Sequence, residues 1–139
     1  MMKRFGISAE PIDVAALRAS LQASDCGGFC CFEGWVRDHN DGRVVDGLDY
    51  EAYVDLAIAE GERIIAEAIE RFGVNDARAV HRIGSLKLGD TAVWIGVASG
   101  HRDEAFRACR YIIDEIKTRV PVWKKERYRD GDATWVNSP

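Results

Sequence analysis

The chain has 139 residues, 47% hydrophobic and 30% charged, with a formal net charge of -4 and a pI near 5.4. That is an ordinary globular composition and one domain's worth of chain, so a single domain over residues 1–139 is expected. The acidic balance excludes a general affinity for nucleic acid or anionic membrane. No apolar run approaches the roughly 20 residues of a membrane helix, and the N-terminus lacks the apolar core of a signal peptide, so a cytoplasmic location with reduced thiols is expected. The four cysteines, at 26, 30, 31 and 109, match no zinc spacing. No metal site and no cofactor is expected.

In chain order, Lys3 to Ile7 reads as a short strand, and Pro11 leads a helix from about Asp13 to Ala23 with Val14, Leu17 and Leu21 on one face. Phe29 to Val36 reads as a strand whose apolar content on both faces predicts a central place in a sheet. Gly34 inside it marks a bulge or a close backbone approach. Arg37 to Arg43 is polar and turn-rich, a loop and a candidate for mobility. Leu48, Tyr50 and Ala52 alternate with Asp49, Glu51 and Tyr53, as in a half-exposed strand.

A long helix is predicted from about Asp55 to Phe72, with Leu56, Ala59, Ile64, Ala68 and Phe72 on one side and Gly73 as its C-terminal cap. Ala77 to Leu86 reads as one strand containing His81 and Arg82. Both are read as structural, the histidine satisfied by a neighbour. Leu88-Gly-Asp is a turn, and Thr91 to Ser99 is a strand rich in β-branched residues. After the next helix, a strand follows Pro121, Asp130-Gly-Asp turns the chain, and Ala133 to Val136 forms a last strand. The order predicts an α+β, two-layer, mostly antiparallel arrangement.

The most informative stretch is Ser99 to Glu126. Ala105, Phe106, Cys109, Ile112, Ile113, Ile116 and Val120 recur at spacings of three and four, one apolar stripe of a helix. Ser99 or Gly100 can open it, Asp103 and Glu104 suit its positive end, and Pro121 stops it. Lys117 lies at the edge of the stripe. On the following strand Val122, Lys124 and Glu126 share one side. Two readings of the lysine pair are open: both snorkel into water, or they build a cationic pocket in which a lysine serves as base or nucleophile. Arg37 at a strand end can bind phosphate or carboxylate, or can be an ordinary edge arginine. His101 and Arg102 open a helix, which suits an anion or plain hydration. In combination, an acidic chain with cations at several element ends points to a small anionic substrate.

The stretches Phe32–Tyr53, Val80–Asp90 and Ser99–Glu126 resemble the large, catalytic subunit family of molybdopterin synthase. The third carries His-Arg, Ala-Phe, an Asp-x-x-Lys helix and Pro-x-Trp-Lys-x-Glu in that order. The resemblance implies a two-layer α/β hammerhead with an added small antiparallel β subdomain. It implies a sulfurtransferase of molybdenum cofactor biosynthesis, converting cyclic pyranopterin monophosphate to molybdopterin. The sulfur source would be the C-terminal thiocarboxylate of a small ubiquitin-like subunit, and the assembly a heterotetramer around a homodimer. Carried over by motif, Trp35, Val36 and Arg37 would bind the pterin. His101 and Arg102 would hold its phosphate across the dimer interface. Lys117 would be the main catalytic group with Lys124 assisting, and Lys124, Lys125 and Glu126 would complete the pocket. The competing classes are a non-catalytic module for a ubiquitin-like tail and a phosphate-binding regulator. The first would not need both lysines at a pocket, and the second leaves the Pro-x-Trp-Lys-x-Glu segment unexplained.

Overall fold

The computed structural model describes residues 3–131 and 133–137. Its strands are β1 (Phe5–Ser8), β2 (Gly28–Trp35), β3 (His39–Asn40), β4 (Arg43–Ala52), β5 (Asp76–Arg82), β6 (Gly84–Leu86), β7 (Thr91–Ser99), β8 (Val122–Tyr128) and β9 (Trp135–Asn137). Its helices are α1 (Val14–Leu21), α2 (Val54–Phe72) and α3 (Arg102–Arg119). The first sheet has the order β1-β5-β7-β2. The second runs β3-β4-β8-β9, with β6 also on β4. This is the expected α+β fold with an added antiparallel sheet.

In the first sheet β1 and β5 are parallel and the other pairs antiparallel. Thr91 to Ser99 forms a strand as the β-branched run predicts, and all of Ala92 to Ser99 is buried. The burial comes from both sides. Ile95 and Val97 pack with α2 and α3 in the main core, while Trp94 and Ala98 pack with Leu21 of α1. The short helix thus adds cover on the second face. In α2 and α3, fully buried Ile64, Ile65 and Ile112 anchor the main core. Burying each contributes about 1.5–3 kcal/mol, and Ile112→Ala would cost about 2–5 kcal/mol once the cavity is counted.

The helix ends follow their sequence signals. Asp13 accepts from the Ala16 amide at 3.0 Å and caps α1. Gly73, at φ 67°, closes α2 with its N–H on Ile69 O. Val120 before Pro121 is extended, at φ -82° and ψ 129°, and ends α3. The start of α3 falls on His101, one residue later than expected. Gly61 lies inside α2 because the ring of Phe5, 2% exposed, rests where a Cβ would stand.

Five expectations need correction. Strand β2 is at the edge of its sheet, not the centre, and Phe29, Phe32 and Trp35 remain exposed. Its bulge is where Gly34 predicts, between Gly34 and Trp35. The Arg37–Arg43 segment is no irregular loop. Asp41 and Gly42 both take positive φ, the geometry of a tight two-residue turn, and join β3 to β4 as a hairpin. Ala77–Leu86 is two strands: Gly84 at φ 93° turns the chain from the first sheet into the second. The face of α2 is also rotated from the predicted one. Ala57, Gly61, Ile64, Ile65 and Ala68 are buried, while Leu56 is 54% exposed. The Asp130–Asp132 turn reaches residue 132, outside the described residues, and the final strand starts at Trp135 instead of Ala133.

Candidate active site

A cavity of about 360 Å³ opens where the end of β2, the last turns of α3 and strand β8 converge. Its charged lining groups are Arg37, Lys117, Lys124 and Glu126. Each is delivered by local structure. The Gly34 bulge redirects the end of β2, and Val36 is then fixed by two backbone bonds, its N–H to Asp90 O at 3.0 Å and its carbonyl from Gly89 N at 2.8 Å. Trp35 lies at the rim, 68% exposed, with Nε1 donating to Glu33 at 2.9 Å. Lys117 stands one turn beyond Ile113, and both line the cavity. Alternation along β8 turns Val122, Lys124 and Glu126 inward together, as the period of two predicts.

Most arginines of the described chain sit against carboxylates, as Arg4 does with Asp76 at 3.0 Å and Arg127 with Asp49 at 2.6 Å. Arg37 and Lys117 have no carboxylate partner, a state they share with Arg18, Arg71, Lys87, Arg102 and Lys125 among the described residues, but of these only Arg37 and Lys117 line the cavity. Lys124 is 3.8 Å from Glu126, a loose contact. Positive charge left uncompensated beside a concave site suits an anionic ligand.

Two neighbours of the cavity escaped the sequence reading. His81 is satisfied as expected, Nδ1 lying 2.8 Å from the Arg82 carbonyl, but it also lines the cavity, edge-on to Tyr50 at 4.8 Å. Because a carbonyl only accepts, Nδ1 carries the proton and Nε2 is left as an acceptor. Burial pushes its pKa down to about 4, so the ring is neutral at physiological pH. Asn40 reaches from the hairpin to Arg37 and Glu126. Its only signal in the sequence was its place before Asp-Gly.

Three of the expected site residues lie elsewhere. Lys125 does not line the cavity: alternation places it on the other face of β8, with Nζ 4.8 Å from the centre of the Trp135 ring. His101 and Arg102 stand at the opposite end of α3. Fifteen residues separate Arg102 from Lys117, which is about 22 Å along a helix. His101 and Arg102 instead crowd Gly28 at the start of β2, where a Cβ would meet Arg102 N at 2.9 Å. Among the described residues, no cluster of three or more His, Cys, Asp and Glu could hold a metal, and no helix is long and apolar enough to cross a membrane.

This architecture has close counterparts. The profile of the MoaE protein family matches residues 7–119. The molybdopterin synthase catalytic subunit of Pyrococcus abyssi is 46% identical over 127 residues, 91% of this chain and 85% of that one. That of Synechococcus elongatus is 43% identical over 131 residues, covering 94% and 79%. The crystal structure of molybdopterin synthase from Staphylococcus aureus superposes with a TM-score of 0.91 at 39% identity, over 98% of both chains. The chain belongs to the MoaE family, the catalytic subunits of molybdopterin synthase.

Proposed function

We propose that the cavity at the Lys117 end of α3 is where cyclic pyranopterin monophosphate receives its dithiolene sulfurs. The sulfur arrives on the C-terminal thiocarboxylate of a small ubiquitin-like subunit. Each sulfur bonds to a pterin side-chain carbon as a C–O bond there breaks, one oxygen staying on the opened phosphate and the other leaving as water; a second water attacks the acyl carbon, and the acyl–sulfur bond breaks. The small subunit leaves as a carboxylate. Opening of the cyclic phosphate ester adds a negative charge, and attack at the acyl carbon develops an oxyanion. Both call for fixed cations in a site partly shielded from water.

In this reading Lys117 is the catalytic group, with its ammonium beside the acyl and pterin carbons. Lys124 assists from the facing strand. Arg37, with Trp35 and the immobilised Val36 backbone, binds the pterin, and Glu126 closes the far wall. The observation that carries the proposal is the convergence of Arg37, Lys117 and Lys124 on one cavity, the first two without an internal carboxylate partner. Lys125 is assigned no role.

The phosphate site is completed by a second copy of the chain. Strand β2 ends its sheet with an unpaired edge flanked by exposed Phe29, Phe32 and Trp35, and Phe106 of α3 is 59% exposed beside it. Antiparallel pairing of two β2 edges about a two-fold axis near Cys31 would join the sheets. It would bring the Gly28 end of one copy, with its His101 and Arg102, to the Trp35 end of the other. The helix start, with His101 and Arg102, then faces the cavity that its own chain cannot reach. A small subunit on each copy gives a heterotetramer.

The test is reconstitution with a thiocarboxylated small subunit and the cyclic monophosphate, reading molybdopterin as its oxidised fluorescent derivative. Product from the wild type and its loss in Lys117→Ala support the assignment. Equal product from both removes Lys117 from the chemistry. Small-subunit binding without product favours a non-catalytic module.

A further inference from the structure

The sequence marks Asn40 as a turn residue, and no part of the proposed chemistry uses it. Its side chain nevertheless joins two groups of the cavity that come from distant parts of the chain. Arg37 Nη2 donates to Asn40 Oδ1 at 3.1 Å. Asn40 Nδ2 donates to Glu126 Oε1 and to the Tyr128 hydroxyl, both at 2.9 Å. Tyr128 in turn donates to the same Glu126 oxygen at 3.3 Å. The hairpin therefore reaches over β4 to β8 through one amide.

The chemistry of the partners fixes which end of the amide faces which. A guanidinium only donates and a carboxylate only accepts. The reverse orientation would set NH₂ against the arginine and oxygen against the carboxylate. Glu126 is 7% exposed, so water is not freely available to replace a lost donor. The backbone supplies Asn40 at a set position. Asp41 and Gly42 both hold positive φ, Asn40 pairs with Arg43, and Val45 N bonds Asp38 O at 2.8 Å. Arg43 is itself bound to Asp130 through Nε at 2.9 Å and stacks on the Tyr128 ring at 3.7 Å.

We propose that Asn40 is a positioning residue for substrate binding, its amide locking Arg37 and Glu126 into one preformed wall of the cavity. The inference rests on the reading above, in which Arg37 and Glu126 contact the pterin. A neutral acceptor orients Arg37 without cancelling its charge, as an aspartate would. A neutral donor orients Glu126 without forming the ion pair that an arginine or lysine would make. Arginine is rich in rotamers, and ordering it before the substrate arrives removes that cost from binding. Asparagine meets all three demands. Alanine and serine are too short to span both partners, and aspartate places a carboxylate against Glu126.

The test measures KM and kcat for the cyclic monophosphate in the reconstituted enzyme, for wild type, Asn40→Ala, Asn40→Asp, Arg37→Ala and the Arg37→Ala/Asn40→Ala double variant, with His39→Ala as a control on the same hairpin. Asn40→Ala is expected to raise KM at least about tenfold, since it removes hydrogen bonds to two charged groups, Arg37 and Glu126, with kcat within about twofold. Asn40→Asp raises KM further, and His39→Ala leaves it unchanged. The double variant falls clearly short of the product of the two single effects, since the part of the Asn40 effect that passes through Arg37 is already lost. If Arg37→Ala raises KM and Asn40→Ala does not, or if the two effects multiply, Asn40 is a structural turn residue and the inference falls alone. If Arg37→Ala itself leaves KM unchanged, the assignment of the pterin site falls and the inference with it. Thermal melts accompany each variant. Should Asn40→Asp not fold, Asn40→Ser carries the same KM test, and an unchanged KM in that variant overturns the proposal.

Discussion

The two ends of α3 carry the same kind of chemistry in opposite settings. At its C-terminal end Lys117 stands beside a cavity, and the helix is pinned there. Arg119 bonds Glu60 at 2.8 Å, Glu67 at 2.7 Å and Glu115 at 3.1 Å, tying α3 to α2. At its N-terminal end His101 and Arg102 are exposed, and no side chain caps the helix. One end is a finished site with cations and a wall. The other is a histidine and an arginine at a helix start, without a cavity of their own. A helix about 27 Å long cannot fold both ends onto one small ligand, so either the second set belongs to another copy's cavity or it has no part in the reaction.

The largest expected effect is at the finished end. Lys117→Ala should lower turnover by about 10² to 10⁴, the range for losing a positioned proton-transfer or charge-stabilising group. Single-turnover kinetics with saturating small subunit would check this. A fall of less than tenfold would strip the C-terminal end of its catalytic role. At the unfinished end, Arg102→Ala should raise KM for the cyclic phosphate by roughly ten- to a hundredfold, as for a lost charge-assisted contact to phosphate, while kcat changes less. No change in KM would make that helix start an ordinary hydrated one.

The pH dependence of stability probes the C-terminal end, where both His81 and the Glu67–Arg119 pair lie. Folding lowers the pKa of His81, beside the cavity, from 6.5 to about 4. Its contribution to stability is complete above pH 6.5 and is lost as pH falls toward 4, because the unfolded chain takes up the proton first. The loss is of the order of 3 kcal/mol. Urea melts between pH 7 and 4 should show a shallower decline for His81→Asn. Glu67, held at about 2 by Arg119 and Tyr111, acts lower on the scale. Its share is present above pH 4.5 and fades toward pH 2, and in Arg119→Leu that acid-sensitive part should shrink. The smallest effect is at Lys125. Turned away onto Trp135, it should change turnover by less than about twofold when replaced by alanine, with at most about 1 kcal/mol of stability lost. A large loss of activity would return it to the site.

Most of the fold was legible because its signals are local. The Thr91–Ser99 run, the Gly73 cap and the Pro121 stop each act within a turn or two of the residue that carries them. Strand β2 was misplaced because an apolar strand reads the same whether its own sheet covers it or its edge is left open. The split at Gly84 was hidden because apolar residues continue through it, and only the positive φ of one glycine marks the corner. Within the cavity, alternation on β8 gave Lys124 and Glu126 their shared face, and the same alternation turns Lys125 to the other face. The distance between His101 and Lys117 was also implicit in the helix length. The places of Asn40 and His81 beside the cavity were not legible, since Glu126 and Tyr128, which Asn40 reaches, and Tyr50, which His81 meets, lie on distant strands that no sequence spacing announces.

The central claim, that the two ends of α3 meet only between copies, has a direct test. Lys117→Ala and Arg102→Ala homodimers are purified separately, each of low activity at a cyclic phosphate concentration near the wild-type KM, then mixed under conditions that exchange subunits and assayed at that concentration. Random exchange makes half of the dimers mixed, and each mixed dimer holds one intact composite site. The account predicts recovery to about one quarter of wild-type turnover. Activity that stays at the level of the separate variants after confirmed exchange would place both residues in the same chain's site, or one of them in none, and would contradict it.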